Sequence, residues 1–70
     1  MIIGKYKKTD IYIWYDVELK RYFGSNMKNN KYTNLYESIN ELKDGLRINT
    51  CVWIDYSTHC FQLKKLLGVI

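Results

Sequence analysis

The chain of 70 residues has no proline, no alanine, one histidine and two cysteines. Two cysteines are too few for the disulfide framework that stabilises many small secreted domains, so we expect a reducing, cytoplasmic location. No uncharged stretch approaches the about 20 apolar residues that a membrane-spanning helix needs. The first residues do not form a basic segment followed by an apolar one, and we expect no signal peptide and no membrane partner.

The length of the chain predicts one compact domain, residues 1–70. A chain this short buries only about 60% of its unfolded surface, so its core must pack tightly or be completed by a second subunit. A homodimer would be one way to cover the sheet. Apolar residues make up 47% of the sequence, which is typical of globular proteins and argues against intrinsic disorder.

The residue types that carry catalytic or metal chemistry are few and poorly spaced. The four glycines are isolated, which excludes a glycine-rich phosphate loop. His59 directly precedes Cys60, and neighbouring side chains on one helix or strand point apart, so the two do not form a nucleophile–base dyad. Cys51, His59 and Cys60 also lack the paired-cysteine spacing of a structural zinc site. We therefore predict no enzyme, no catalytic residues, no metal and no cofactor, with two buried thiols and a surface histidine; a small enzyme or metal protein centred on these three residues is the third alternative.

Strict alternation of apolar and other residues predicts strands in the first third of the chain. Ile11–Val17 alternates β-branched and aromatic residues, which is typical of a half-buried strand. Met1–Lys8 is expected to be a shorter strand before it. A turn at Glu18–Lys20 then predicts a return strand at Arg21–Gly24, and Gly24–Lys31 is expected to be a polar loop because it is rich in turn formers.

Helical spacing appears in the second half. Leu35, Ile39, Leu42 and Leu46 form one stripe with a period of 3.6 residues, which predicts a helix over 34–45 with Thr33 or Asn34 as N-cap and Gly45 in the left-handed position after its end. Arg47–Tyr56 returns to alternation and predicts a strand. Residues 57–70 fit either a helix capped by Ser57 or Thr58 or a hairpin, and we favour the helix, whose apolar stripe would be Cys60, Leu63, Leu67 and Ile70.

These elements predict an α+β fold in the order β-β-β-α-β-α. A small antiparallel sheet, made of a three-strand meander and a strand after the helix, would pack on one amphipathic helix. Within the meander, Tyr12 and Trp14 would lie on the face opposite Ile11, Ile13 and Tyr15. If the strand containing Trp53 lies next to that of Trp14, the two tryptophans extend one aromatic strip.

Charge is concentrated in the first half of the chain. Residues 1–32 carry the whole net charge of +4, whereas residues 33–70 are neutral. A sheet that displays aromatic rings among cations can hold a single-stranded nucleic acid, since the rings stack on bases and the cations neutralise phosphates. A small nucleic-acid-binding protein is therefore one hypothesis, with the basic residues Lys5, Lys7, Lys8, Lys20, Arg21, Lys28 and Lys31 on phosphates.

The favoured hypothesis is a non-enzymatic protein that acts by protein–protein contact. Aromatic residues and arginine are common anchors of protein interfaces, and an uncovered aromatic strip requires a partner. Ile, Lys, Asn and Tyr make up 30 of the 70 residues, which indicates an A/T-rich genome. We therefore expect an inhibitor or regulator of a host protein, encoded by a phage or another mobile element. Its anchors would be Tyr12, Trp14 and Trp53, with Lys20 and Arg21 at the rim; the alternative is that both tryptophans fill a two-sided core.

Overall fold

The computed structural model describes residues 1–69 and confirms the α+β class. Five antiparallel strands form one sheet in which each strand pairs with the next along the chain. The order β-β-β-β-α-β-α contains one strand more than the sequence predicted. The elements are β1 Ile2–Lys5, β2 Ile11–Asp16, β3 Arg21–Asn26, β4 Lys31–Thr33, α1 Ile39–Arg47, β5 Trp53–Ile54 and α2 Tyr56–Leu67.

The additional strand begins at the last residue of the segment that the sequence predicted to be a polar loop. β3 continues to Asn26, a turn follows, and β4 begins at Lys31. Ser25 and Asn26 are poor strand formers, but pairing with β2 on one side and β4 on the other holds them extended. Gly24 is buried, and a Cβ atom there would lie 3.4 Å from the Thr33 Cγ2 atom. The small residues that resembled a loop are therefore those that let the strand pack closely.

The two helices lie on opposite faces of the sheet. Side chains alternate along a strand, so neighbouring residues of β3 face different helices. Gly24 faces α1, since a Cβ atom there would lie 3.8 Å from the Leu42 Cδ1 atom. Phe23 faces α2, with its ring centroid 4.6 Å from that of His59. The sequence predicted a helix on one face only, whereas the C-terminal helix covers part of the other.

Helix α1 begins five residues later than the sequence predicted. Its N-cap is Ser38, whose hydroxyl accepts the Glu41 N–H at 3.1 Å. The preceding residues stay extended because Tyr36 pairs with Tyr22 through two backbone hydrogen bonds, a contact that no local pattern reveals. Gly45 lies inside the helix and is not its left-handed end, a conformation that Asn49 adopts with φ of 60°.

The predicted strand Arg47–Tyr56 was too long, since only Trp53–Ile54 is a strand. Asp55 ends it by capping α2, and its carboxylate accepts the Thr58 N–H at 2.8 Å. The helix predicted for 57–70 is present, although Asp55 replaces Ser57 or Thr58 as its N-cap. Gly68 ends it with φ of 78°, while Ile70, the last residue of the predicted stripe, lies outside the described residues.

A buried hydrogen bond of Thr33 joins β3 to β4. Its hydroxyl accepts the Gly24 N–H at 2.8 Å and donates to the Asn34 carbonyl oxygen at 2.9 Å. The residue is fully buried, so water cannot replace the bond to the Gly24 N–H.

Replacing Thr33 with valine is expected to lower the free energy of unfolding by about 1–2 kcal/mol, because the Gly24 N–H loses its acceptor in a dry interior. Urea unfolding measures this loss. Thr50→Val, at an exposed position, serves as the matched control and should change stability by no more than about 0.5 kcal/mol. Equal effects of the two substitutions would contradict the structural role given to the Thr33 hydroxyl.

Candidate binding groove

Helix α2 covers its face of the sheet only in part and leaves a groove of about 210 Å³ beside it. We call this the aromatic groove. Its sheet side comes from β2, β3 and β4, and its other side comes from α2. The lining is almost entirely apolar and aromatic, and it consists of Trp14, Phe23, Tyr32, Tyr56, His59, Cys60 and Leu63.

Trp14 is half-buried in the sheet side of the groove. Its ring lies nearly parallel to that of Phe23, with 5.9 Å between centroids. Its indole N–H donates to the Ser25 hydroxyl at 2.8 Å, which satisfies its one polar atom. Trp14 is therefore neither a free surface ring nor a fully buried core residue.

His59 is the floor of the groove and corrects the prediction of a surface histidine. It is 3% exposed, and its ring stacks on Tyr32 with 4.4 Å between centroids and an angle of 8°. The Nδ1 atom is buried without a hydrogen-bond partner within the described residues. Burial lowers the pKa of His59 below its ordinary value of 6.5, and the Asp16 carboxylate opposes this shift. A neutral imidazole is therefore the form that the fold favours.

Protonation of His59 is expected to destabilise the protein. Since its folded pKa is lowered, the stabilisation is complete above pH 6.5, the unfolded value, and is lost as the pH falls through the folded pKa. Thermal unfolding of the wild type should move to lower temperature across this interval. His59→Phe keeps an aromatic ring without the titrating nitrogen and should show a flatter pH profile as the pH falls below 6.5. Parallel profiles would exclude His59 as the cause.

The other two predicted anchors, Tyr12 and Trp53, do not line the aromatic groove. Tyr12 is half-buried on the same sheet face as Trp14, with the Lys5 Nζ atom 5.7 Å from its ring centroid. Trp53 pairs with Thr33 and faces α1, and two strands separate β5 from β2. Because the two tryptophans lie on opposite faces, they do not form the continuous aromatic strip that would arise if their strands were neighbours.

The predicted rim residues lie in and after the turn between β2 and β3. Lys20 is exposed and has a left-handed backbone with φ of 54°. The Arg21 guanidinium lies 3.7 Å from a Glu37 carboxylate oxygen and also donates to the Leu19 and Lys20 carbonyl oxygens. Arg21 is therefore partly occupied by contacts within the chain.

The seven basic residues of the nucleic-acid hypothesis divide between the two ends of the sheet. Lys20 and Arg21 lie at one end, with the β2–β3 turn. The other five are in or beside the β1–β2 and β3–β4 turns, which antiparallel pairing places together at the opposite end. No single face combines all seven, and the five that share an end are Lys5, Lys7, Lys8, Lys28 and Lys31.

The cysteines lie on opposite sides of the sheet. Cys60 is on α2, whereas the Cys51 sulfur approaches α1 and accepts a hydrogen bond from the Tyr36 hydroxyl at 3.3 Å. Burial and this bond raise the pKa of Tyr36 to about 12. Both thiols are half-buried and free. Within residues 1–69, no group of three or more histidine, cysteine and acidic side chains is close enough to hold a metal ion.

No family model, curated protein or solved structure matches this chain. Neither helix of the described residues has the length and apolar character needed to cross a membrane. Function must therefore be argued from the geometry of the chain itself.

Six of the seven groove residues were absent from the predicted site, which contained only Trp14 of the seven; Tyr56, His59 and Leu63 are three of the six. A signal for them was present, because positions 56, 59 and 63 share one side of a helix at spacings of three and four residues. The predicted apolar stripe of this helix included Leu63, but Tyr56 was assigned to the preceding strand and His59 was expected at the surface. Placing Phe23 and Tyr32 at one site required the pairing of β3 with β4, which the sequence did not predict.

Proposed function

We propose that this chain is a non-enzymatic binding protein that holds one large apolar side chain of a partner protein in the aromatic groove. The observation that supports this proposal is an apolar groove that α2 leaves open to solvent. Tyr56 at its edge is 57% exposed, although it lies beside Tyr32 with 5.7 Å between ring centroids. Aromatic side chains placed in this manner are frequent anchors of protein interfaces.

The size of the groove favours a side chain over a cofactor. Pockets for drug-sized molecules and cofactors usually exceed about 300 Å³, whereas an apolar cavity of about 150 Å³ accepts benzene. At about 210 Å³, the groove matches one aromatic or branched aliphatic group.

Charge around the groove favours an acidic partner segment. Lys5 stands over Tyr12 on the β1 side, and Lys64 lies beside Tyr56 and Cys60 on the helix side. The two ion pairs between side chains of residues 1–69 both use arginine, so neither lysine is neutralised in this way. A partner that has carboxylates on both sides of its anchor would meet both lysines.

The A/T-rich composition supports the remaining part of the proposal, an inhibitor or regulator encoded by a phage or another mobile element and directed at a host protein. Such a protein would act by covering a functional surface of its target. This role requires no catalytic group in the chain.

A matched pair of substitutions on α2 tests the groove. Tyr56 and Leu66 are almost equally exposed, at 57% and 58%, but only Tyr56 lines the groove. With immobilised protein and nuclease-treated host lysate, Tyr56→Asp should reduce capture of the partner more than about tenfold, which corresponds to about 1.4 kcal/mol. Leu66→Asp adds the same charge to the same helix and should leave capture unchanged.

Three outcomes would contradict this proposal. Capture that survives Tyr56→Asp, or that both substitutions abolish, would mean that the groove does not select the partner. Capture that disappears on nuclease treatment would mean that the retained molecule is bound through nucleic acid. Circular dichroism of both variants establishes that each is folded before the comparison is made.

A further inference from the structure

A second concave site lies on the opposite face of the sheet, between β3 and the end of α1. It has a volume of about 240 Å³, and we call it the amide pocket. Unlike the aromatic groove, it is rich in side-chain amides. The residues that matter for its chemistry are Asn26, Asn29, Asn49 and Trp53, with Ile11 and Cys51 beside them.

The hydrogen bonds of the β3–β4 turn determine what this pocket offers to a ligand. The Asn26 side-chain oxygen accepts the Lys28 N–H at 3.0 Å, and the Asn29 oxygen accepts the Lys31 N–H at 3.2 Å. Each amide oxygen is therefore used within the turn, and each NH₂ group remains available. Because the amide oxygens are held in this way, the two NH₂ groups can donate to a ligand that has hydrogen-bond acceptors.

The charges beside the pocket favour an anionic ligand. Lys31 pairs with Asn26, which pairs with Ile11, so these three residues form one row on the α1 side of the sheet. Lys28 follows in the adjoining turn. The Asp55 carboxylate interacts electrostatically with Lys31, but it also accepts the Thr58 N–H. The lysines of the β1–β2 turn at the same end of the sheet add to the positive field.

The half-buried ring of Trp53 favours a planar group. An aromatic ring beside lysines is the combination with which proteins hold single nucleotides, since the ring stacks on the base and the cations neutralise the phosphate. Neutral amide NH₂ groups next to the ring can then bond base carbonyl oxygens. The volume suits one base alone, so the sugar and phosphate would lie outside the pocket, toward Lys28 and Lys31.

We infer that the amide pocket binds one nucleotide, with its base against Trp53, its carbonyl oxygens on the amides of Asn26 and Asn29, and its phosphate near Lys28 and Lys31. The nucleotide is either free or part of a single strand. This site is separate from the aromatic groove, because the two lie on opposite faces of the sheet. Its failure would therefore leave the proposed protein-binding function intact.

Asn29→Asp is the most selective test of this site. The aspartate still has an oxygen to accept the Lys31 N–H, but it has lost the NH₂ donors and gained a negative charge. Asn40→Asp makes the same change at an exposed position of α1 that does not line the pocket. The probes are uridine monophosphate, followed by nuclear magnetic resonance, and a fluorescein-labelled oligothymidylate of about ten nucleotides, followed by fluorescence anisotropy.

Asn29→Asp is expected to weaken binding of either probe about tenfold or more, whereas Asn40→Asp should weaken it less than about threefold. Saturable binding of the mononucleotide identifies a free nucleotide as a sufficient ligand. Binding of the oligonucleotide alone identifies a single strand as the source, and its affinity should then fall with salt concentration. Equal weakening by the two substitutions would show only general charge attraction and would overturn the site, as would the absence of binding by both probes.

Discussion

Leu42→Ala is expected to lower the free energy of unfolding by about 3 kcal/mol. Leu42 is fully buried, and its Cδ1 atom reaches the backbone of β3 at Gly24. Removal of a buried leucine side chain loses its transfer free energy and leaves a cavity, which together cost about 2–5 kcal/mol. Chemical unfolding in urea measures the effect, and the slope of the transition should stay the same if both states keep their exposed areas.

Leu66→Ala is the matched control, since Leu66 is on the other helix and is 58% exposed. It should change stability by no more than about 0.5 kcal/mol. A small effect at Leu42 would mean that α1 is not packed on the sheet as the structure has it.

Trp14→Ala is expected to lower the free energy of unfolding by about 2 kcal/mol. The substitution removes a ring that stacks on Phe23 and leaves the Ser25 hydroxyl without its donor. The value lies below the about 3–5 kcal/mol typical of a fully buried tryptophan because Trp14 is only half-buried.

Trp14→Phe separates the two contributions. It retains an aromatic ring beside Phe23 and loses the hydrogen bond to Ser25. The variant should therefore lose about half as much free energy of unfolding as Trp14→Ala. An unfolding transition of Trp14→Ala that equals the wild type would show that the ring makes no stabilising contact. Because Trp14 supports the fold as well as the groove, loss of binding in its alanine variant would be ambiguous, and Tyr56 is the better position for a binding test.

The parts of the fold that were predictable are those with a strong local period. The alternation in 11–17 identified β2, and the final helix followed from its apolar spacing. β4 was missed because it is only three residues long and follows an asparagine- and lysine-rich turn. The start of α1 was misplaced because the pairing of Tyr36 with Tyr22 keeps that segment extended, and such a contact depends on tertiary structure.

The candidate site was predictable to a smaller extent. Tyr12 and Trp14 were assigned to the same face, as the structure has them. Trp53 was separated from them by strand order, which places β3 and β4 between the two tryptophans. His59 was expected at the surface because it is polar, but while it is uncharged its ring can stack on Tyr32 and pack at a tilt against Phe23.

The proposed function requires that the aromatic groove accept one aromatic side chain. Titration of the protein with p-cresol, an analogue of the tyrosine side chain, tests it by nuclear magnetic resonance. The chain has two tryptophans, one on each face of the sheet, so their indole N–H signals report on the two sites separately. We predict a saturable shift of the Trp14 signal with little change at Trp53. A response at Trp53 alone, or no saturable response at either ring, would show that the aromatic groove does not bind an aromatic side chain.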